Sequence, residues 1–275
     1  MYIKHNCWKW QTASGTFFVK KYEDSLIEKK VKNIHHKLTA IAFPYHIPVV
    51  NTNDGVVIQK WHEGRSARFD QKEERLAAVD CLQALHETKN DINWQLEPLP
   101  RQQLQRKWRA RFERFLMNEK ELSYYLDKDY NSIAHTAYKG LSNMSAVPLQ
   151  TEGATLLHGD VVHHNFLKTA KGIVLIDFDL AVLGSPIDEM VLWLHRALPN
   201  VDYDLSLLLQ EHPYTAICMP QLSHIYYPNE LLREWLYILQ LEEKEREPFL
   251  DYLIPFTRKA LQHWPRLIKQ IEYHS

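Results

Sequence analysis

The chain has 275 residues, 45% of them hydrophobic and 12% aromatic, with 33 Lys and Arg against 34 Asp and Glu for a formal charge of −1. A chain of that length buries a substantial core, in one large domain or two modest ones, and that composition excludes a disordered polymer. The balanced charge gives no support for nucleic acid or another polyanion as the main partner.

Three cysteines, Cys7, Cys81 and Cys218, are odd in number and far apart, so a reducing cytoplasmic location is expected over a disulfide framework. The opening MYIKHNCWKWQ lacks an apolar core of signal-peptide length. No stretch approaches the ~18 uninterrupted apolar residues of a membrane span. A soluble protein with no membrane span is therefore expected, and nothing in the sequence specifies an oligomeric state.

In chain order, Cys7 to Gln11 and Thr16 to Tyr22 are rich in aromatic and β-branched side chains, and Ala13-Ser14-Gly15 between them reads as a hairpin turn. From Ser25 to Leu38, apolar groups at Leu26, Ile27, Val31, Ile34 and Leu38 follow helical spacing. Phe43-Pro44 and Ile47-Pro48 end that helix. Val49-Val50 and Val56-Val57-Ile58, joined through Asn53-Asp54-Gly55, read as a second hairpin. Beyond Ser66 helices dominate: Glu73 to His86 is strongly periodic, and Leu104 to Leu126 reads as one helix with a basic face. The run Arg106-Lys107-Trp108-Arg109, with Arg111 and Arg114, is ordinarily a solvated helix face, although it could meet an anionic partner. Residues Thr155 to Leu183 break the helical pattern, with an apolar strand from Ile173 to Ile176 ending at Asp177. Asp188 to Leu198 and then Leu205 to Ile271 return to helix. The pattern predicts an α+β chain. A small β-rich lobe over residues 1–62 (β-hairpins plus one helix) precedes a large, mainly helical lobe over residues 63–275, which holds a loop–hairpin unit at 156–180.

That unit carries the chemistry. His158-Gly159-Asp160 is followed by Asn165 five positions after the aspartate, and Asp177 closes a strand twelve residues further on. Phosphoryl transfer needs a carboxylate to accept the proton of the attacking hydroxyl, together with oxygen ligands for Mg²⁺. Asp160 is the candidate general base, and Asn165 and Asp177 are the candidate metal ligands. Singly, each of these residues is more often structural, since Gly-Asp is an ordinary turn. His158, His163 and His164 near two aspartates admit a metallohydrolase reading as well. No second Gly-Asp or Asn-His-Asp segment completes such a cluster, however, and His158 is expected to bond backbone beneath the loop.

The segment LLHGDVVHHNFLKTAKGIVLIDFDLAVLGSPIDEM resembles the core signature of the aminoglycoside phosphotransferase and choline kinase superfamily, which has a protein-kinase-like two-lobed fold. Ala84-Leu85-His86, Gly15-Thr16-Phe17-Phe18-Val19-Lys20 and Val57-Ile58-Gln59-Lys60-Trp61 agree with it. The wording HGDVVHHNFL and IDFDLA is most similar to the spore-coat-associated kinase-like branch. The resemblance implies that Lys20 contacts the nucleotide phosphates, paired with Glu28; Lys21 and Glu23 are the rivals. It further implies that Gln59 and Trp61 offer hinge backbone to adenine, that Leu167 and Ile176 floor its pocket, and that Asp188 braces the catalytic loop. Trp193, His195 and Arg196 would line an acceptor cleft.

The implied cofactors are ATP, with GTP as the alternative nucleotide, and Mg²⁺. The implied acceptor is the hydroxyl of a small molecule such as an amino sugar, a choline-like compound or another alcohol. Asp179 followed closely by Gly184-Ser185-Pro186, with no Ala-Pro-Glu motif, argues against a protein substrate. Only Met1 to His5 precede the strand beginning at Asn6, so the family's first strand and most of its phosphate-covering loop are expected to be missing. A truncated N-lobe of this kind leaves an alternative: a catalytically weak or inactive kinase-fold protein with a binding or structural role.

Overall fold

The computed structural model describes residues 2–4, 6–53, 55–145 and 153–274. Met1, His5 and Asp54, which belong to the expected opening segment and second hairpin turn, lie outside the described residues. The chain groups into two compact units, one formed by residues 1–102 and 151–186, the other by 103–150 and 187–275. The lobe boundary expected at residue 62 falls inside the first unit.

The first unit is built on an antiparallel five-stranded sheet made from β1 (Tyr2–Lys4), β2 (Cys7–Thr12), β3 (Gly15–Lys21), β4 (Val49–Asn53) and β5 (Val56–Lys60), in the order β1-β2-β3-β5-β4. The presence of β1 corrects the expectation of a missing first strand. Tyr2 lies opposite Trp8 and Lys4 opposite Cys7, so two residues suffice to connect the strands. At the β2–β3 turn the Thr12 hydroxyl donates to the Gly15 carbonyl (3.1 Å), and Gly15 sits at φ +139°, where a side chain would be strained. Lys20 pairs with Cys7 on one side and Val57 on the other. Alternation along β3 then sends Lys20 and Lys21 to opposite faces, and Lys21 is exposed.

Helix α1 (Ser25–Ala40) starts where the Asp24 carboxylate accepts the Leu26 N–H at 2.7 Å, an N-cap of the kind worth about 1 kcal/mol. Val31, Ile34 and Leu38 form its buried stripe, each stabilising by roughly 1.5–3 kcal/mol on burial. The helix ends at Ala40, and two residues on Ala42 takes φ +52° just before Phe43-Pro44. A two-residue strand β6 (Arg65–Ser66) and helix α2 (Lys72–Glu87) follow. After residue 151 the unit adds β7 (Thr155–Leu157), β8 (Phe166–Thr169), β9 (Gly172–Leu175) and β10 (Val182–Gly184). Strand β7 pairs with β10, and β6, β8 and β9 form a second small sheet.

The second unit is helical: α3 (Leu104–Met117), α4 (Glu119–Leu126), α5 (Lys128–Ser145), α6 (Pro186–Ala197, opening at the junction), α7 (Leu205–Glu211), α8 (Asn229–Ile238) and α9 (Glu243–His274), with a long 3₁₀ stretch at Pro213–Tyr226. The single helix expected over Leu104 to Leu126 is two. Asn118 leaves helical geometry (φ −104°, ψ 21°), and its side-chain amide closes α3 by donating to the Arg114 carbonyl at 2.7 Å. The core centres on Trp108, stacked on Tyr227 at 4.6 Å, whose hydroxyl donates to the Trp108 carbonyl at 2.7 Å. Among the described residues no helix is long and apolar enough to cross a membrane.

Candidate active site

The fully buried strand β7 delivers the chain into His158-Gly159-Asp160. Gly159 takes φ +79°, and a Cβ there would lie 2.0 Å from the Leu180 carbonyl oxygen. Only glycine lets this loop close on the one-turn 3₁₀ segment Phe178–Leu180. His158 is buried, and because a carbonyl can only accept, its Nε2–H donates to the Ile176 carbonyl at 2.9 Å. Its ring lies 5.0 Å from that of Phe178, itself fully buried.

Asn165 links the parts. Its side-chain amide donates to both the carbonyl (2.9 Å) and the carboxylate (3.1 Å) of Asp160, while its own carbonyl accepts the Ile176 N–H at 3.0 Å. With the Nδ2 donors spent on Asp160, Oδ1 is the end of the Asn165 side chain that could serve a ligand. Asp177 follows Ile176 directly, at φ 67° and ψ 70°, in the left-handed region that an aspartate tolerates better than most side chains. Amide and carboxylate oxygens are hard donors of the kind Mg²⁺ prefers, and that ion usually takes only one or two protein ligands beside water and phosphate. The residues present therefore fit it. Among the described residues no group of three or more His, Cys, Asp and Glu is arranged to hold a metal ion.

Lys20 reaches this pair from β3. Its ammonium donates to Asp177 Oδ1 at 2.8 Å and to Asp179 Oδ2 at 2.6 Å, and Tyr22 Oη donates to Asp179 Oδ1 at 3.0 Å. Burial alone would lower the Lys20 pKa, but the two carboxylates outweigh it and the net shift is upward, so the amine stays charged. Asp179 is pushed above the ordinary carboxylate range, first by burial and then by repulsion from Asp177, with Lys20 and Tyr22 opposing. Burial, then Asp179, raises the Tyr22 phenol and keeps it a donor.

The expected Lys20–Glu28 pair is corrected. Glu28 accepts the Gly55 N–H at 2.9 Å and forms an ion pair with Lys32 one helical turn on, which together hold its carboxyl below the usual range. Asp179 stands where Glu28 was expected. Another residue of α1 does reach the turn: Lys30 Nζ donates to the carbonyls of Asp179 (2.5 Å) and Ala181 (3.1 Å). Neither Lys30 nor Tyr22 carried a signal in the sequence; an acid at position 179, two residues from a metal-ligand candidate, was the one cue that a cation would be drawn there.

The remaining expected residues fall as follows. Gln59 lies in an inner strand between Phe18 and Val49, with its side-chain amide on the Ile47 carbonyl at 2.5 Å. The Trp61 N–H is bonded to the Thr16 carbonyl (2.9 Å), extending the β3–β5 ladder, so of the hinge backbone groups expected there that donor is already taken. Its indole donates to Glu63 at 2.6 Å under the Lys9 ammonium. Leu167 lies on β8 against Gly64, where a Cβ would meet its side chain at 3.0 Å, and Ile176 adjoins Asp177. Asp188 sits in the first turn of α6, in the second unit, with burial lifting its carboxyl to about 6. Trp193 and His195 are core residues, 1% and 4% exposed, so they line no cleft; Arg196 is paired with Glu230.

Solved structures of similar fold include an aminoglycoside phosphotransferase from Alicyclobacillus acidocaldarius, at TM-score 0.76 and 15% identity over 99% of this chain and 92% of that one. Spectinomycin phosphotransferase in complex with ADP and spectinomycin gives 0.66 and 14%, over 94% and 88%. The choline kinase LicA from Streptococcus pneumoniae gives 0.58 and 13%, over 97% and 92%. These likenesses carry the protein-kinase-like fold. No curated protein sequence matches the chain. Residues 3–204 match the model of the phosphotransferase enzyme family, more than half the chain and spanning every residue of the site above, and the protein belongs to that family.

Proposed function

We propose that the protein is a small-molecule kinase that transfers a phosphoryl group from ATP to a hydroxyl, with Mg²⁺. GTP is the alternative donor. The observation that supports this reading is the continuous link Asp160–Asn165–Ile176–Asp177–Lys20, which brings two carboxylates, a side-chain amide and an ammonium together. Asp160 would accept the hydroxyl proton, held in orientation by the Asn165 amide. Asn165 Oδ1 and Asp177 would hold the metal, which when bound neutralises phosphate charge. Lys20 would move one hydrogen bond from Asp177 to a phosphate oxygen while Asp179 keeps hold of it. Leu167 and Ile176 would supply apolar surface to the base, with Trp61 contributing through its carbonyl. Glu28 has no part.

The test is turnover of Mg²⁺-ATP with a library of amino sugars, choline-like amines and simple alcohols. Asp160→Asn is expected to cut the rate by about 10²–10⁴. Absence of any turnover that Asp160→Asn abolishes would defeat the catalytic reading. It would leave the second one, a binding or structural protein of this fold, which draws on the two-residue connection between β1 and β2: so short a turn offers few backbone N–H groups to phosphates.

A further inference from the structure

We propose that Lys30 is a positioning residue that clamps the Asp177–Ala181 turn to helix α1 and thereby holds Asp177 in its metal-binding geometry. The inference rests on the functional reading above and adds a residue to it.

The turn needs an external hold. Asp177 at φ 67° occupies a left-handed conformation that is strained for an L-residue, and surrounding contacts must offset that strain. Within the turn the Ala181 N–H closes on the Phe178 carbonyl at 3.0 Å, leaving the carbonyls of Asp179 and Ala181 to find donors elsewhere. Lys30 supplies both, at 2.5 and 3.1 Å, across 149 and 151 residues of sequence. A lysine with nothing to hold would extend into water and keep its rotamer freedom. Lys29, its neighbour, is exposed in that way. Lys30 is half-buried, with its ammonium on the two carbonyls. One and a half turns further along α1, the His35 ring meets the edge of Phe178 at 5.4 Å and supports the same turn from the apolar side. With Glu28 committed to Gly55 and Lys32, Lys30 is the charged group through which α1 reaches the site.

Two readouts test this, one needing neither metal nor nucleotide. In hydrogen–deuterium exchange of the ligand-free protein, Lys30→Met should speed exchange across residues 178–182 by about fivefold or more, the loss expected for hydrogen bonds net of water. In titration with Mn²⁺-ADP the same variant should bind roughly five- to tenfold more weakly while metal-free ADP affinity is unchanged, and Lys30→Arg should recover most of both effects. Lys29→Met serves as the control. Exchange no faster than in that control, or an equal loss of Mn²⁺-ADP and ADP affinity, would overturn the proposal. If wild-type protein fails to bind Mn²⁺-ADP, or Asp177→Asn leaves its binding unchanged, the functional reading falls and takes the metal-binding role of Lys30 with it. Exchange still decides whether Lys30 holds the turn.

Discussion

Lowering the pH from 7.5 to 5 should destabilise the protein steeply, and His224 isolates one part of the reason. The ring is 3% exposed, lies 6.4 Å from Trp108, and has no partner for either nitrogen among the described residues. Burial pulls its pKa down to about 4. In the unfolded chain the value returns to about 6.5. Between those values the unfolded state binds a proton that the folded state refuses, so stability present above pH 6.5 is lost as the pH falls towards 4. At pH 5 the interval is about 1.5 units, or about 2 kcal/mol from this one residue. His195 and His35, each drawn down to about 3 by burial, add similar amounts. Asp188, whose carboxyl burial lifts to about 6, works the other way and offsets part of that loss as the pH falls. His224→Leu removes the titration and discards no hydrogen bond. Urea unfolding followed by circular dichroism should find the variant within about 1 kcal/mol of wild type at pH 7.5, and about 2 kcal/mol more stable than wild type at pH 5. Equal loss of stability on acidification in both proteins would refute the reasoning.

Three further outcomes are expected. Gly159→Ala places a methyl group 2.0 Å from the Leu180 carbonyl at φ +79°, so it should cost more than about 3 kcal/mol in thermal or urea unfolding; a loss below 1 kcal/mol would show the loop able to shift. Arg196→Met takes the ion-pair partner from the half-buried Glu230 carboxylate, leaving it the Asn229 amide, and should cost about 1–3 kcal/mol, most of it regained in Arg196→Met with Glu230→Leu. The thiols Cys7, Cys81 and Cys218 are all buried, and burial raises the pKa of the latter two, so iodoacetamide should label none in native buffer and all three in urea. Rapid labelling of the native protein would contradict that.

The parts of the site that local sequence determines were legible in it. His158-Gly159-Asp160, Asn165 and Asp177 lie within twenty residues, on a loop and hairpin whose turn chemistry fixes their spacing. The choice of Lys20 over Lys21 follows from alternation along a strand. What the sequence concealed depends on rotation and distance. Glu28 and Lys30 are two residues apart, about 200° around a helix, and only the packing of Val31, Ile34 and Leu38 decides which of them faces the turn. The Tyr22–Asp179 bond spans 157 residues and has no local signature. The break at Asn118 was hidden because apolar periodicity continues on both sides of it; the competing side-chain bond to Arg114 is what interrupts the helix. The short first strand was missed for its length alone.

The left-handed backbone at Asp177 also acts as a filter on descent. The proposed chemistry would ask for a carboxylate there, while the main chain accepts without strain only Gly, and with little strain Asn or Asp. A lineage that ceased to need the metal could leave this position most cheaply through Asn or Gly, the fold surviving intact. Replacement by Val or Ile would carry a conformational penalty that a marginally stable protein resists. In this chain a carboxylate stands at a left-handed turn where two uncharged residues, Asn and Gly, would sit as comfortably.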